Sequence, residues 1–214
     1  MLFFHLSALK YKFISSILTF CVLEKEIKNI KLEEAEFCVL DFETTGTSAK
    51  NGRAIEIGLV KVKGFKIVEN YSSLINPEMF IPYYITQLTG ITNDDVYNAP
   101  KFEEIAGDIS EFIGVSIIVA HNIGFDEKFL YNEFERAGLK KPENQKICTL
   151  KLARKLLPHL PSKALGKVAS HLRLNHKNVH RALGDATVTA KILIRFLKML
   201  KEDHGIESIE EVVN

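Results

Sequence analysis

Apolar and polar positions change rhythm along this chain, and each change marks an element. Four apolar residues in a row, Phe37-Cys38-Val39-Leu40, suit a strand buried on both faces, and they run straight into Asp41-Phe42-Glu43-Thr44-Thr45-Gly46. From Arg53 to Val62, Ile55, Ile57, Leu59 and Lys61 fall on one face, with Glu56 and Gly58 on the other. Lys63-Gly64 then turns the chain into a third strand over Phe65 to Ile75. Three sequential strands with short turns predict an antiparallel meander. Asn76-Pro77 ends it, and Ile81-Pro82 predicts a further extended stretch before Ile85.

Helical spacing begins at Phe102, Ile105, Ile109, Phe112 and Ile113, after a start signal at Pro100-Lys101. A second buried strand, Val115 to Ala120, leads into His121-Asn122-Ile123-Gly124-Phe125-Asp126. Phe129, Leu130 and Phe134 then mark a helix that stops at Gly138. Gln145 to Cys148 reads as a short strand. Helices follow over Leu150 to Leu157, over Lys163 to Leu172 with Ser162 as its cap, and over Gly184 to Lys201. The pattern predicts a single α/β domain over residues 36–201, a mixed sheet that opens with a meander and continues through helical connections.

Met1 to Ala35 reads differently. Leu6, Leu9, Phe13, Phe20, Leu23, Ile27 and Ile30 follow a three-four spacing, with Ser16 in an apolar slot, which predicts an N-terminal amphipathic helical extension. The run Phe13 to Leu23 is too short to cross a bilayer at ~1.5 Å per residue, and no small-x-small cleavage site follows it, so no membrane partner is expected. The stripe is expected to pack on its own domain or to form a homodimer contact, ahead of a role as a partner-protein arm or a targeting segment. Residues 202–214 read as a short acidic tail.

Composition adds two points. The 214 residues are 46% hydrophobic and 26% charged, an ordinary globular balance, and Cys21, Cys38 and Cys148 suggest neither a disulfide framework nor a zinc site, which fits a cytoplasmic protein. The net charge of +1 hides an asymmetry: Lys140 to Arg181 holds eight Lys and three Arg against one acid, Glu143. A local surface of that sign attracts phosphates, and it also fits a solvated helix face.

The candidate chemistry is acidic. Residues two apart on a strand point the same way, so Asp41 and Glu43 project into one cleft, where a proton or a cation must relieve their repulsion; oxygen ligands suit Mg2+ or Mn2+. Asp126 and Asp185 stand at ends of elements, and His180 lies five residues before Asp185. Four carboxylates and an imidazole are the parts for metal-assisted phosphodiester hydrolysis. Taken singly, each has a plainer reading: Asp41 ends a strand and Glu43 is solvated, Asp126 and Asp185 are stabilising charges near helix starts (about 0.3 to 1 kcal/mol), and His180 is a loop histidine. His121 is read as structural, and His5, His159, His171, His176 and His204 fit no ligand spacing.

Three segments taken together are more specific. Val-Leu-Asp-Phe-Glu-Thr-Thr-Gly at 39–46, Ala-His-Asn-Ile-Gly-Phe-Asp at 120–126 and His-Arg-Ala-Leu-Gly-Asp-Ala at 180–186 resemble, in order and spacing, the exonuclease motifs of the DEDDh (DnaQ-like) 3′-5′ exonucleases. Within that family the proofreading epsilon-type subunits of bacterial DNA polymerase III are most similar. The connecting text agrees, with Ile81-Pro82 to Leu88-Thr89-Gly90-Ile91-Thr92, Glu133, Arg136-Ala137-Gly138 and Leu152-Ala153-Arg154. The resemblance covers Phe37 to Lys201. It implies a ribonuclease H-like fold with a five-stranded mixed sheet, two divalent cations, and release of nucleoside 5′-monophosphates from single-stranded DNA 3′ ends in proofreading or repair. By motif position, it implies that Asp41, Glu43, Asp126 and Asp185 serve the metals and that His180 is the general base. Phe42, Thr44, Thr45, Leu88, Gly90, Ile91 and Asn122 are implied as substrate contacts. A relative that trims RNA 3′ ends shares the same set. A non-catalytic nucleic-acid or polymerase adaptor would need a broken set, and this one is whole. The tail after Lys201 is brief beside the polymerase-binding segment of epsilon-type subunits, which leaves a DNA polymerase partner open.

Overall fold

The computed structural model describes residues 30–213. Strands β1 (Glu36–Thr44), β2 (Ala54–Lys63) and β3 (Lys66–Leu74) form the expected antiparallel meander; β4 (Ile117–Ala120) and β5 (Lys146–Cys148) add parallel strands on the far side of β1. The order β3-β2-β1-β4-β5 makes β1 central, which is why its apolar run has no polar face. The β2–β3 turn uses Gly64 and Phe65, both with φ near +57°, the left-handed geometry that matches strand twist.

Helices cover both faces. On one side α3 (Phe102–Ile113) and α4 (Ile123–Arg136) pack on Cys38, Leu40, Phe42, Ile57, Leu59, Ile118 and Ala120. The Phe102 and Phe134 rings meet edge to face, with centroids 5.5 Å apart. On the other side α5 (Thr149–Leu156), α6 (Leu165–His171) and the 23-residue α7 (Ala182–His204) pack on Phe37, Val39, Val60, Val62 and Val119. Each such large side chain contributes about 1.5–3 kcal/mol by leaving water. Strand alternation therefore sends Asp41 and Glu43 to the α7 side, continuing the parity of Phe37 and Val39.

Two short helices, α1 (Tyr83–Thr89) and α2 (Asn93–Tyr97), lie where the sequence pattern assigns none, and the stretch expected to be extended before Ile85 is already helical from Tyr83. Pro82 is the N-cap of α1, and only Ile85 and Thr89 of α1 and Val96 of α2 are buried, too few positions to register as a helical period. Thr92 and Asp95 close a capping box on α2. The expected Ser162 cap also differs: α6 starts at Leu165 behind Ala164, and Ser162 Oγ accepts only a 3.4 Å bond from the Ala164 N–H. The amphipathic helix expected over 1–35 lies outside the described residues as far as residue 29. Leu32 and Ala35 are buried, Leu32 N–H donates to the Glu207 carbonyl and Ile209 N–H to the Ile30 carbonyl, so this segment pairs with residues 207–209, just ahead of α8 (Glu210–Val213), and Ile209 is buried. Among the described residues no helix is long and apolar enough to cross a membrane, and Cys38 and Cys148 are unpaired.

Candidate active site

The site forms where β1, α4 and α7 meet. Asp41 pairs with Gly58 across the β1–β2 ladder, and Glu43 with Glu56. Gly58 has no side chain to stand between the sheet and α7: a Cβ there would lie well inside 3.0 Å of the Ala182–Leu183 backbone. The first turn of α7 therefore rests on β2, and Asp185, in that turn, reaches the Asp41 cleft. Glu56 fixes the approach. Its buried carboxylate takes Arg181 as a fork (2.7 to 3.2 Å) and also accepts the Ala182 N–H at 2.9 Å. Asp126, in the first turn of α4 beyond β4, accepts the Phe42 N–H at 3.2 Å, which ties it to the middle of the Asp41–Glu43 segment.

Electrostatics mark the cleft. Burial, then the charges of Asp126, Asp185, Glu43 and Glu56, push the Asp41 carboxyl well above the usual carboxylate range. Burial, with Asp185 and Glu56 behind it and Arg181 opposing, raises Glu43 to about 8. Burial raises Asp126 to about 7 against the Phe42 N–H. Ligating atoms of Glu43, His180 and Asp185 lie within 4.8 Å of one another, and the donors are mostly hard carboxylate oxygens. Acids this close, short of counter-charge and open to one cleft, fit a divalent cation site.

His180 stands at the mouth, exposed, with φ +59°. A second histidine, unmarked in the sequence reading, touches the same acid: His176 Nε2 lies 2.6 Å from Asp185 Oδ1, and both side chains are nearly buried. No spacing rule flags a histidine nine residues from an aspartate across a loop. Glu56 was more accessible to reasoning, because the meander register puts it on the Asp41 face. His121 is structural as expected, spanning Thr149 Oγ1 (2.9 Å) and the Lys163 carbonyl (2.7 Å), and burial lowers its pKa.

The residues expected to touch substrate split into three groups. Thr44 and Thr45 line the end of β1; Thr44 Oγ1 donates to the Gly46 carbonyl at 2.8 Å, and Thr45 Oγ1 accepts the Arg53 N–H at 3.0 Å. Leu88, Gly90 and Asn122 are exposed, and Asn122 opens onto a cleft of about 520 Å3 shared with Arg154 and Lys163. The side chains of Phe42 and Ile91 are buried in separate apolar clusters, which leaves only their backbones to face a ligand. Sequence reasoning also gave no role to the clamp on the loop after β1. Glu133, buried in α4, accepts Arg53 Nε (3.0 and 3.1 Å), the Ala54 N–H (3.0 Å) and Arg136 (3.1 Å), while Arg136 also donates to the carbonyls of Ala49, Lys50 and Gly52.

Comparisons with known proteins identify the family. The family model of the RNase T exonucleases matches residues 38–193. DNA polymerase III subunit epsilon of Aquifex aeolicus (strain VF5) is 39% identical over 175 residues, 82% of this chain and 87% of that protein. DNA polymerase III PolC-type of Clostridium perfringens (strain 13 / Type A) is 42% identical over 175 residues, which span 82% of this chain but 12% of that protein. Among solved structures, Exonuclease X in complex with 5′ overhanging duplex DNA is 28% identical with a TM-score of 0.66, covering 83% of this chain and 99% of that one. The chain belongs to the RNase T exonuclease family and is a 3′-5′ exonuclease, a hydrolase of phosphodiester bonds.

Proposed function

We propose that this chain removes nucleotides stepwise from the 3′ ends of single-stranded DNA and releases nucleoside 5′-monophosphates. Asp41, Glu43, Asp126 and Asp185 hold two divalent cations, Mg2+ or Mn2+, and His180 is the general base. The carrying observation is the convergence of acids from β1, α4 and α7 on a cleft where their own repulsion and burial keep three of them from ionising freely. Bound there, divalent cations supply counter-charge to the phosphodiester and make water more acidic. The chain's residues supply the rest. His180, at the open side of Asp185, takes the proton from the attacking water as its oxygen bonds to phosphorus and the bond to the 3′ oxygen breaks. Thr44, Thr45 and the α1 end at Leu88 to Ile91 hold the terminal nucleotide in line for that attack. Similarity to an epsilon subunit over most of its length supports work beside a DNA polymerase in proofreading.

The test is digestion of 5′-labelled single-stranded DNA and RNA of equal sequence with Mg2+, with Mn2+ and with chelator. A ladder shortening from the 3′ end on DNA, present only with metal and lowered about 100- to 10,000-fold by His180→Ala, is the expected result. Faster trimming of RNA would transfer the assignment to RNA ends, and cleavage undiminished by chelator would end the cation reading.

A further inference from the structure

The His176–Asp185 contact has no part in the chemistry above. We infer that His176 is a positioning residue, which orients Asp185 for the cations by donating from Nε2 to one carboxylate oxygen and leaving the other oxygen to the cleft. The inference rests on the two-cation reading of the site.

The ring is held by one bond and by the packing of its loop. Its bond to Asp185 Oδ1 is 2.6 Å long, and the two side chains are 11% and 12% exposed, so water competes little for either partner. A metal-binding carboxylate can only accept, so in the proposed role the hydrogen of this contact sits on Nε2. The other nitrogen, Nδ1, faces α6 at Gly166, where an added Cβ would come within 3.8 Å of it. The loop that carries the ring lies directly on the helix turn that carries the acid. A Cβ on Gly184 would stand inside 3.0 Å of the Lys177 and Asn178 carbonyl oxygens, and just beyond, the Arg181–Glu56 fork pins the same chain to β2. Asn178 and His180 both take left-handed φ, which folds this short loop back so that two imidazoles reach one carboxylate.

Those imidazoles are differently placed. His180 is exposed on the cleft side, free to meet water and substrate. His176 lies nearly buried with Nε2 already engaged, so it cannot serve as the proton acceptor. A carboxylate ligand whose orientation is fixed by such an outer partner binds metal more tightly, and loss of the partner costs about 10- to 100-fold in affinity.

The experiment is calorimetric titration of Mn2+ into the full chain without nucleic acid, for wild type, His176→Gln, His176→Leu and Asp185→Asn. Gln keeps an N–H donor and Leu removes it at similar bulk. The expected result is a roughly 10- to 100-fold loss of Mn2+ affinity in His176→Leu, in the binding event that Asp185→Asn abolishes, with most of it restored in His176→Gln. Mn2+ bound by His176→Leu as tightly as by wild type, or more tightly, overturns the inference, because the contact would then be one that the cation displaces. Absence of any Mn2+ binding by wild type overturns the cation reading, and this inference with it. A second measurement needs no variant. Imidazole 15N signals of the wild-type protein should report His176 as the hydrogen-bonded Nε2–H tautomer both before and after saturation with Mg2+; loss of that bond on adding Mg2+ is the contrary result.

Discussion

Asp41, Glu43 and Asp126 each hold a proton more tightly in the folded chain than free carboxyls do, and that preference links the cleft to stability. Free carboxyls titrate near pH ~4 in an unfolded chain, whereas burial and mutual repulsion put Glu43 at about 8 and Asp126 at about 7. Between those limits the folded state binds more protons than the unfolded one, so the unfolding free energy falls as pH rises. The metal-free protein should melt at a lower temperature at pH 8 than at pH 5, and Mg2+ should raise the melting temperature more at pH 8. Glu43→Gln removes one of the clashing charges. It should stabilise the metal-free protein at pH 8 by about 0.5 to 2 kcal/mol, roughly 2–4 °C per kcal/mol for a domain of this size, while cleavage is lost. A scanning calorimeter reads both; a melting temperature independent of pH, with Glu43→Gln neutral, would mean that the cleft does not press these acids together.

Elements carry the site by close approach, and Gly58, where β2 meets α7, is one of the two tightest points. Ala at 58 would drive a methyl into the Ala182–Leu183 backbone, which has no side chain to swing aside, so α7 must lift away from β2. Overpacking of this kind costs about 1–3 kcal/mol. A shift approaching 1 Å at a catalytic group costs about 100-fold in rate. Gly58→Ala should therefore lower kcat about 10- to 100-fold, whereas Gly107→Ala in α3, with nothing within 4 Å of the new Cβ, should leave kcat alone and stabilise by about 0.5–1 kcal/mol. Equal kcat in the two variants would remove Gly58 from the account of how Asp185 is placed. The loop clamp gives a companion expectation: Glu133→Gln weakens the hold on Arg53 and Arg136, and KM should rise by more than kcat falls. These elements also show how far the sequence could be read. The strand alternation in 37–43 and 55–61 gave the meander and the shared face of Asp41 and Glu43, because period two is a local property of the chain. The helix over Tyr83–Thr89 was missed because it buries one residue per turn, and His176 was missed because its partner lies across a loop whose left-handed turns leave no periodic trace.

The molecule as a whole divides its charge. The segment from Lys140 to Arg181, close to +10 by formal count, builds β5, α5, α6 and the loop into α7, which form one flank of the site, while the remaining chain is about −9. Not all of those cations are available to a phosphate backbone. Lys163 Nζ is spent on the carbonyls of Pro158 and Leu160, Lys140 pairs with Glu143, Lys146 with Glu127, and Arg181 with Glu56. Charge reversal at Lys163 would break a loop before it tested a strand path. Arg154 and Lys167 are exposed, and Arg154 lines the cleft with Asn122, within the basic flank that a strand leaving the site would cross. Each phosphate contact on a single strand adds about 0.7 to the slope of log affinity against log salt. Arg154→Glu and Lys167→Glu should each raise KM for a long single strand and flatten its salt dependence by about that amount, with kcat on a dinucleotide unchanged because so short a substrate ends before reaching them. If long and short substrates respond to salt alike in the wild-type protein, the basic flank serves solvation alone and the strand leaves the cleft on another side.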